Sequence, residues 1–440
     1  MTLKLLMRPA TLALAVALLL IPACTYAATI GANTPARSLT RESILLLPKN
    51  EQKAWLVYID RSERLRAADQ AAFAAEVKAA GVATPTEPAH GFNARSLSLR
   101  RETAWYASDE ARSAASNLIT YQTPAGGWGK NMDMAHTPRK PGERYAPNNV
   151  SRLLSADDYD TPADPEWNYI GTIDNDATHT QLNFLAKVIT AANGADIVAW
   201  RAAFEKGIEY LLNAQYPNGG WPQVYPLEGG YHDAITYNDD AMTEVMNLMH
   251  NIATGEGDFA FTTSQMRKQA AAAFALGMKC TLASQIKVEG KLTGWAQQED
   301  PLTLVPVSAR NYEMPAISAG ESSGVMMMLM EDLPHPTAQE QQAIRAVAAW
   351  FQQTQIHDFA YTRTPHGRGL VAQPGAGPIW ARYYQIGTNK PIFGDRDKSI
   401  HDTVDELSLE RRNGYGWYGT EPSHALELYA AWLKQHPETK

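Results

Sequence analysis

The feature that most constrains this chain is a heptapeptide that occurs twice. Gln122-Thr-Pro-Ala-Gly-Gly-Trp128 and Gln215-Tyr-Pro-Asn-Gly-Gly-Trp221 share the pattern Gln-x-Pro-x-Gly-Gly-Trp. Each follows an apolar segment of helical periodicity, 105–120 and 197–214, and each is followed at some distance by another helix. Leu292-Thr-Gly-Trp295 and Asn413-Gly-Tyr-Gly-Trp417 are weaker echoes. The physical reading is a helix stopped by Pro and Gly, a turn that uses glycine's backbone freedom, and a Trp fixing the loop to its neighbours. Trp128 and Trp221 have two readings here, a packed turn or a wall facing a ligand. Helix pairs repeated in this way curl into an α/α toroid whose loops gather at one end. The repeat therefore predicts a mainly α fold, an incomplete barrel of helix hairpins with long irregular loops forming a groove.

Composition supports a core large enough for that fold. Of 440 residues, 45% are hydrophobic and 20% charged, which excludes wholesale disorder. The net charge of −8 argues against a non-specific nucleic-acid binder. Lys4 and Arg8 precede a short apolar run, 11–21, and small residues around 23–28, the pattern of a secretory signal. We expect residues 1–27 to be removed after Ala27, placing the protein in the periplasm or outside the cell. A lipid anchor on Cys24 is the lesser alternative, and Pro22 argues against it. Loss of Lys4 and Arg8 takes the charge from −8 to −10. Cys280 then stands alone, with no disulfide framework, in an apolar helical pattern that reads as a packing thiol. Residues 29–48 read as extended and weakly ordered, 51–80 as a helix pair and 84–92 as a linker. Together 28–93 form an N-terminal helical segment with no assigned activity, ahead of a main domain at 94–440.

Acidic clusters lie in the loops of the repeat. Ile173-Asp-Asn-Asp-Ala-Thr178 precedes an apolar helix at 182–189, and Tyr237-Asn-Asp-Asp-Ala-Met-Thr243 one at 245–252. Asp176 and Asp240 stand where an N-cap carboxylate would satisfy free helix amides. Capping leaves Asp174, Asn175 and Asp239 unexplained. Two clusters of hard oxygen donors on neighbouring loops suit Ca²⁺, without the ligand spacing of an EF-hand. Later loops place arginines among aromatics: Ala309-Arg310-Asn-Tyr-Glu313, Trp380-Ala-Arg382-Tyr-Tyr, and Gly387-Thr-Asn-Lys-Pro-Ile-Phe-Gly-Asp-Arg396. Arg310 has mostly uncharged neighbours and needs a carboxylate, from Glu313 or from a ligand. The stretch 300–324 is too long for a mere connection.

Taken as a set, Gly126-Gly-Trp-Gly-Lys-Asn131, Thr172-Ile-Asp-Asn-Asp-Ala-Thr178, Tyr237-Asn-Asp-Asp-Ala-Met242, Ala309-Arg-Asn-Tyr-Glu313 and Trp380 through Phe393 resemble the pectate lyases of polysaccharide lyase family 10, in that family's order over roughly 94–419. The resemblance implies an α/α toroid with a long groove, polygalacturonate as substrate, and β-elimination to 4,5-unsaturated oligogalacturonates. It implies Ca²⁺ bound by Asp174, Asn175 and Asp239, although Asp176 and Asp240 are adjacent and chemically equal. It implies Arg310 as catalytic base, with Arg382, Arg396 and Lys130 binding substrate, and 414–419 walling the groove. A chain of charge −10 that grips a polyanion needs a bridging dication and a few guanidinium groups. Three other classes differ in chemistry. An inverting glycoside hydrolase would use Asp174 and Asp239 as its acid and base. An isoprenoid enzyme would carry acidic signatures that this chain lacks. A non-catalytic pectin binder would release no product.

Overall fold

The computed structural model describes residues 29–437 apart from 92–95, 156, 193, 195, 332 and 334. The expected leader, its Cys24 and the expected boundary at 94 lie outside those residues. The helices are α1 (Arg41–Ile44), α2 (Lys49–Ala80), α3 (Asp109–Leu118), α4 (His179–Ala191), α5 (Ile197–Ala214), α6 (Ala241–Thr254), α7 (Ser264–Ser284), α8 (Ala319–Glu331), α9 (Ala338–Thr354), α10 (Leu409–Gly414) and α11 (Glu421–Gln435). Their limits follow local chemistry. Ser108, Thr263 and Thr337 cap α3, α7 and α9 through their hydroxyls, and Thr337 with Glu340 completes a capping box. Gly255, at φ 64°, ends α6.

Two concentric rows result, making an α/α toroid. Helices α4, α6 and α8 touch in series as the inner row, and α5, α7 and α9 touch in series outside them. Helix α3 joins α4, and α11 packs on α8 and α9. The inner helices are buried on nearly every side: in α4, Leu182, Phe184, Leu185, Ala186 and Val188 are all fully covered. The outer helices bury one stripe, as Trp200, Phe204, Ile208 and Leu211 do in α5. Connections from an inner to an outer helix are short. Connections from an outer to the next inner helix (119–178, 215–240, 285–318, 355–420) are long, and they collect at one end.

The heptapeptide is how those long connections begin. The indole N–H of Trp128, Trp221, Trp295, Trp380 and Trp417 donates to the carbonyls of Leu118, Leu211, Thr281, Phe351 and Arg411, at 2.7–3.0 Å. In every case that carbonyl lies three residues before the end of the preceding helix, counting for α3 the 3-10 turn Ile119–Tyr121 that extends it, where helical carbonyls lose their partners. Gln122, Gln215 and Gln285 each follow a helix end and donate twice. One bond closes their own turn, and the other reaches Ala203, Ala273 or Ala343 on the next outer helix. Gly219, at φ 102°, has no room for a side chain: a Cβ would run into the Leu276 carbonyl. All five Trp residues are buried, so the ligand-wall reading of Trp128 and Trp221 is wrong and the packed-turn reading is right.

The N-terminal segment departs from expectation. Residues 51–80 form one unbroken helix, α2, rather than a pair. It lies along the first two repeats, with Trp55, Tyr58 and Ile59 buried and Tyr58 Oη donating to the Ala214 carbonyl at 2.9 Å. Glu76 holds Arg139 through both carboxylate oxygens. Residues 29–48 are not loose: Gly31–Ala32 is a strand antiparallel to Ser399–His401, and Asn33, Leu39 and Ile44 are buried. Among the described residues no helix is long and apolar enough to cross a membrane.

Candidate active site

The Trp turns also set the site. Two residues beyond Trp128, Trp221, Trp295 and Trp380, the sequence has Lys130, Gln223, Gln297 and Arg382. The carbonyls of Gln223, Gln297 and Arg382 accept N–H bonds from Ile173, Tyr237 and Ala319, each in the preceding repeat, the first two just before an inner helix and Ala319 at the first residue of one. This ladder brings the two acidic clusters side by side: Asn238 Nδ2 donates to Asp174 Oδ1 at 3.3 Å and to Asp239 Oδ2 at 3.0 Å. The clusters superpose as repeats, even in backbone strain. Asn175 and Asp239 have φ 48° and 51°, and Asp176 and Asp240 have φ 60° and 57°. Asn131 (59°) and Thr178 (64°) join them, and the branched Thr178 is held there by its hydroxyl bond to the Thr172 carbonyl at 2.7 Å. Left-handed backbone at non-glycine residues costs about 1–3 kcal/mol each, so this site is bought with packing elsewhere.

Neither Asp176 nor Asp240 acts as the expected helix cap. The N-cap of α4 is Thr178. Asp240 occupies the N-cap position of α6 but makes no side-chain bond there. The hard-oxygen reading of these turns thus loses its simplest competitor.

A pocket of about 100 Å³ forms where the turns meet, lined by Lys130, Asp174, Asn175, Asp239, Gln297 and Arg310, among others. Lys130 is buried and ion-paired with Asp174, its ammonium 3.6 Å from the centre of the Tyr169 ring. Burial alone would raise the Asp174 pKa, but Lys130 outweighs it and holds the carboxyl below its ordinary value. The Lys130 charge is therefore already committed, and a sugar carboxylate would have to compete for it. Asp239 faces the pocket. Its carboxyl is pushed up to about 6, first by loss of solvent and then by the charge of Asp174. Asn175 Nδ2 donates to Asn131 at 3.1 Å, which leaves its amide oxygen available.

Arg310 stands on the other wall. Glu313, fully buried, takes its Nε at 2.9 Å, its Nη2 at 2.7 Å and its backbone N–H at 3.0 Å, answering the question of its partner. Tyr415 Oη donates to the same carboxylate at 2.6 Å. Burial would lower the Arg310 pKa, but Glu313 and the surrounding tyrosines raise it well above its ordinary value, so the free site holds a guanidinium cation. Arg310 also lines a second pocket of about 210 Å³ with Tyr312, Arg396 and Arg411. Arg396 therefore sits beyond Arg310 from the acidic clusters, paired with Glu410 at 2.8 Å. Arg382 reaches Glu321 at 3.1 Å, Asn238 at 3.3 Å and Asp239 at 4.0 Å. Of the seven residues singled out in the sequence, Lys130, Asp174, Asn175, Asp239 and Arg310 line the first pocket, Arg396 lines the adjoining one, and Arg382 lines neither but touches Asn238 and Asp239. Glu321, Gln223, Gln297, Tyr231 and Arg411 were missed, and the recurring position two after Trp would have found the two glutamines.

A larger cavity, about 650 Å³, lies between the hairpin 287–292 and α9 and holds none of these residues. Among the described residues no three His, Cys, Asp or Glu side chains converge as a ready metal cage. The donors present, Asp174, Asn175 and Asp239, are nonetheless all hard oxygens, and the mutual repulsion of the two carboxylates is what a dication would relieve. A glycoside hydrolase would need Asp174 as a working acid or base, and its ion pair with Lys130 opposes that.

The family model for pectic acid lyase matches residues 122–426. No curated protein matches the chain. Among solved structures it is similar to family 10 polysaccharide lyase from Cellvibrio cellulosa. For an aspartate-to-alanine mutant of that protein in complex with trigalacturonic acid, the identity is 30% and the TM-score 0.63, over 77% of this chain and 98% of that one. For a second structure of the same protein the values are 32% and 0.62, over 74% and 94%. With the toroid, its repeated turns and its groove in place, the chain belongs to the pectic acid lyase family and is a polysaccharide lyase of family 10.

Proposed function

We propose that this enzyme cleaves polygalacturonate by β-elimination, with Arg310 as the residue that meets the reacting sugar. The observation that carries this is the position of Arg310, the shared wall between a pocket lined by acidic and amide oxygens and a second pocket where Arg396 and Arg411 stand with Asp158 and Asp160. In the reaction the C5 proton leaves, its electron pair forms the C4–C5 double bond, and the C4–O bond breaks. The departing oxygen keeps its electron pair and takes up a proton. A negatively charged chain must bind a negatively charged polymer, so cations have to be local. Arg396 and Arg411 supply them on one side of Arg310. On the other side we assign Asp174, Asn175 and Asp239 to Ca²⁺, which when bound would neutralise a sugar carboxylate and acidify its C5 proton. Arg382 steadies Asp239 and Asn238, and Lys130 steadies Asp174.

Arg310 is cationic in the free enzyme because Glu313 grips it, so it first engages the polymer as a clamp on negative charge. To accept the C5 proton it must give up one of its own, which Glu313 opposes and high pH favours. Export through the leader at 1–27 fits a polymeric substrate that does not cross membranes. The test is absorbance of the unsaturated product on polygalacturonate. We expect activity with added Ca²⁺, loss with chelator and recovery on re-addition. Reducing ends released without ultraviolet absorbance would replace the lyase with a hydrolase.

A further inference from the structure

We infer that Asn33, in the N-terminal segment outside the family match, is a positioning residue for Arg310. This rests on the reading of Arg310 given above. The Asn33 side-chain amide donates to three carbonyls of the one turn that carries the arginine: Asn311 at 3.0 Å, Arg310 at 3.2 Å and Glu313 at 3.4 Å. Its own backbone is fixed at both ends. The Asn33 N–H donates to the Lys398 carbonyl at 2.7 Å, and its carbonyl accepts from Tyr159 Oη at 2.8 Å. Its side-chain oxygen accepts from the Thr34 N–H at 3.0 Å. Every polar atom of this buried residue is used.

The geometry ties together the two loops that flank the second pocket. The strand Gly31–Ala32 pairs with Ser399–His401, a few residues beyond Arg396. Asn311, under the Asn33 amide, donates to the Arg396 carbonyl at 2.7 Å and accepts from the Tyr159 N–H at 2.9 Å. Asn33 therefore fixes where the Arg310 turn stands relative to Arg396. The turn's carbonyls face inward, and Asn33 is the side chain that answers three of them. The Arg310 and Glu313 carbonyls also accept the Glu313 and Ala309 N–H, at 2.9 and 3.0 Å, so an apolar replacement orphans the Asn311 carbonyl and cuts the side-chain tie from the N-terminal segment to the turn on which Arg310–Glu313 depends. Displacement of a reacting group by about 1 Å costs on the order of 100-fold in rate, with little effect on binding contacts elsewhere.

The test compares full-length Asn33→Ala, Asn33→Asp, Tyr159→Phe and Tyr58→Phe with the unaltered enzyme. The readouts are kcat and KM on polygalacturonate, trigalacturonate affinity by calorimetry, and Tm. Both Asn33 variants should lose about 10- to 100-fold in kcat, with KM and trigalacturonate Kd within about threefold. Tyr58→Phe, which loosens α2 far from the turn, should lower Tm and leave kcat unchanged. A folded Asn33→Ala with kcat within threefold of the unaltered enzyme overturns the inference, as does a Tyr58→Phe that loses kcat equally. If Asn33→Ala does not fold, Tyr159→Phe decides. A several-fold loss of kcat at constant Tm supports the inference, and an unchanged kcat overturns it. An unaltered enzyme that makes no unsaturated product defeats the functional reading instead, so the two failures are distinct.

Discussion

Replacing Lys130 by Met isolates the electrostatics of the site. Met keeps an unbranched stem against Tyr169 and removes only the charge. In the unaltered protein Lys130 and Asp174 are both almost wholly buried, with side chains 9% and 5% exposed. Removing one partner of such a pair leaves a carboxylate in a poor solvent, which costs about 3–5 kcal/mol. The cost should depend on pH, and its sign follows from linkage. With Lys130 present, the Asp174 pKa is depressed on folding, so its contribution is present above the unfolded carboxylate pKa and fades as acid is added. Without Lys130 the burial effect is left to dominate, and the folded pKa rises above the unfolded one. The variant then gains stability relative to its unfolded state as pH falls, because a protonated Asp174 is cheaper to bury. The deficit measured by urea unfolding should therefore be largest near pH 8 and shrink toward pH 5. Ca²⁺ should stabilise the variant more than the unaltered protein, since it replaces the missing positive charge. A deficit below about 1 kcal/mol, or one independent of pH, would refute the argument that Lys130 is there for Asp174.

Arg310→Lys should lose at least about 100-fold in turnover while still binding oligogalacturonate, because a lysine cannot reproduce the fork held by Glu313. In the unaltered enzyme log kcat should rise with pH through the alkaline range, since Arg310 must lose a proton from a pKa well above its ordinary value; a plateau below pH 8 removes it as base. Asp239, pushed up to about 6, must shed its proton to hold a cation. Ca²⁺ affinity followed by calorimetry should be nearly flat above pH 7 and fall about tenfold per unit well below pH 6. Trp221→Phe should cost about 2–3 kcal/mol, through the lost bond to Leu211 and the space left behind, and lower Tm without changing kcat per folded molecule.

The repeat made the fold legible because its residues do a job that depends on spacing. A Gln directly after a helix reaches the next outer helix, and a Trp reaches back to the carbonyl three from the helix end. Where the turn between them lengthens, as between Ser284 and Trp295 or Thr354 and Trp380, the Trp bond persists, with both Gln bonds kept in the first of these, but the heptapeptide does not. That is why the third and fourth units read as weak or not at all. The acidic turns and Arg310 were legible for another reason: helix capping could not explain so many donors, and a guanidinium among uncharged neighbours needs a partner. What sequence could not give was commitment. Lys130 reads as a free cation until Asp174 is seen against it, and Asn33 reads as part of a loose leader-proximal stretch until its three carbonyl partners, nearly 280 residues away, are in view.

Those commitments bear on how an acidic protein handles a polyanion. Around the groove three cations are balanced one to one, Lys130 by Asp174, Arg310 by Glu313 and Arg382 by Glu321, while Arg396 and Arg411 share the single carboxylate of Glu410. Pairs of this kind hold their charges in place at little net cost, but they offer a polymer carboxylate no uncompensated positive field. Net attraction must then come from unbalanced groups. On the protein's side these are the arginine pair on Glu410 beyond Arg310 and, in the first pocket, the acid Asp239, its carboxyl pushed up by loss of solvent and then by Asp174. The first pocket, whose cations are paired and which leaves one further acid facing in, gains affinity for a sugar carboxylate only in the company of a cation from solution. Binding of polymer and of dication should accordingly be linked, each tightening the other by the same factor. Trigalacturonate affinity measured across a Ca²⁺ titration gives that factor directly, and a factor of one would mean that the arginines alone suffice.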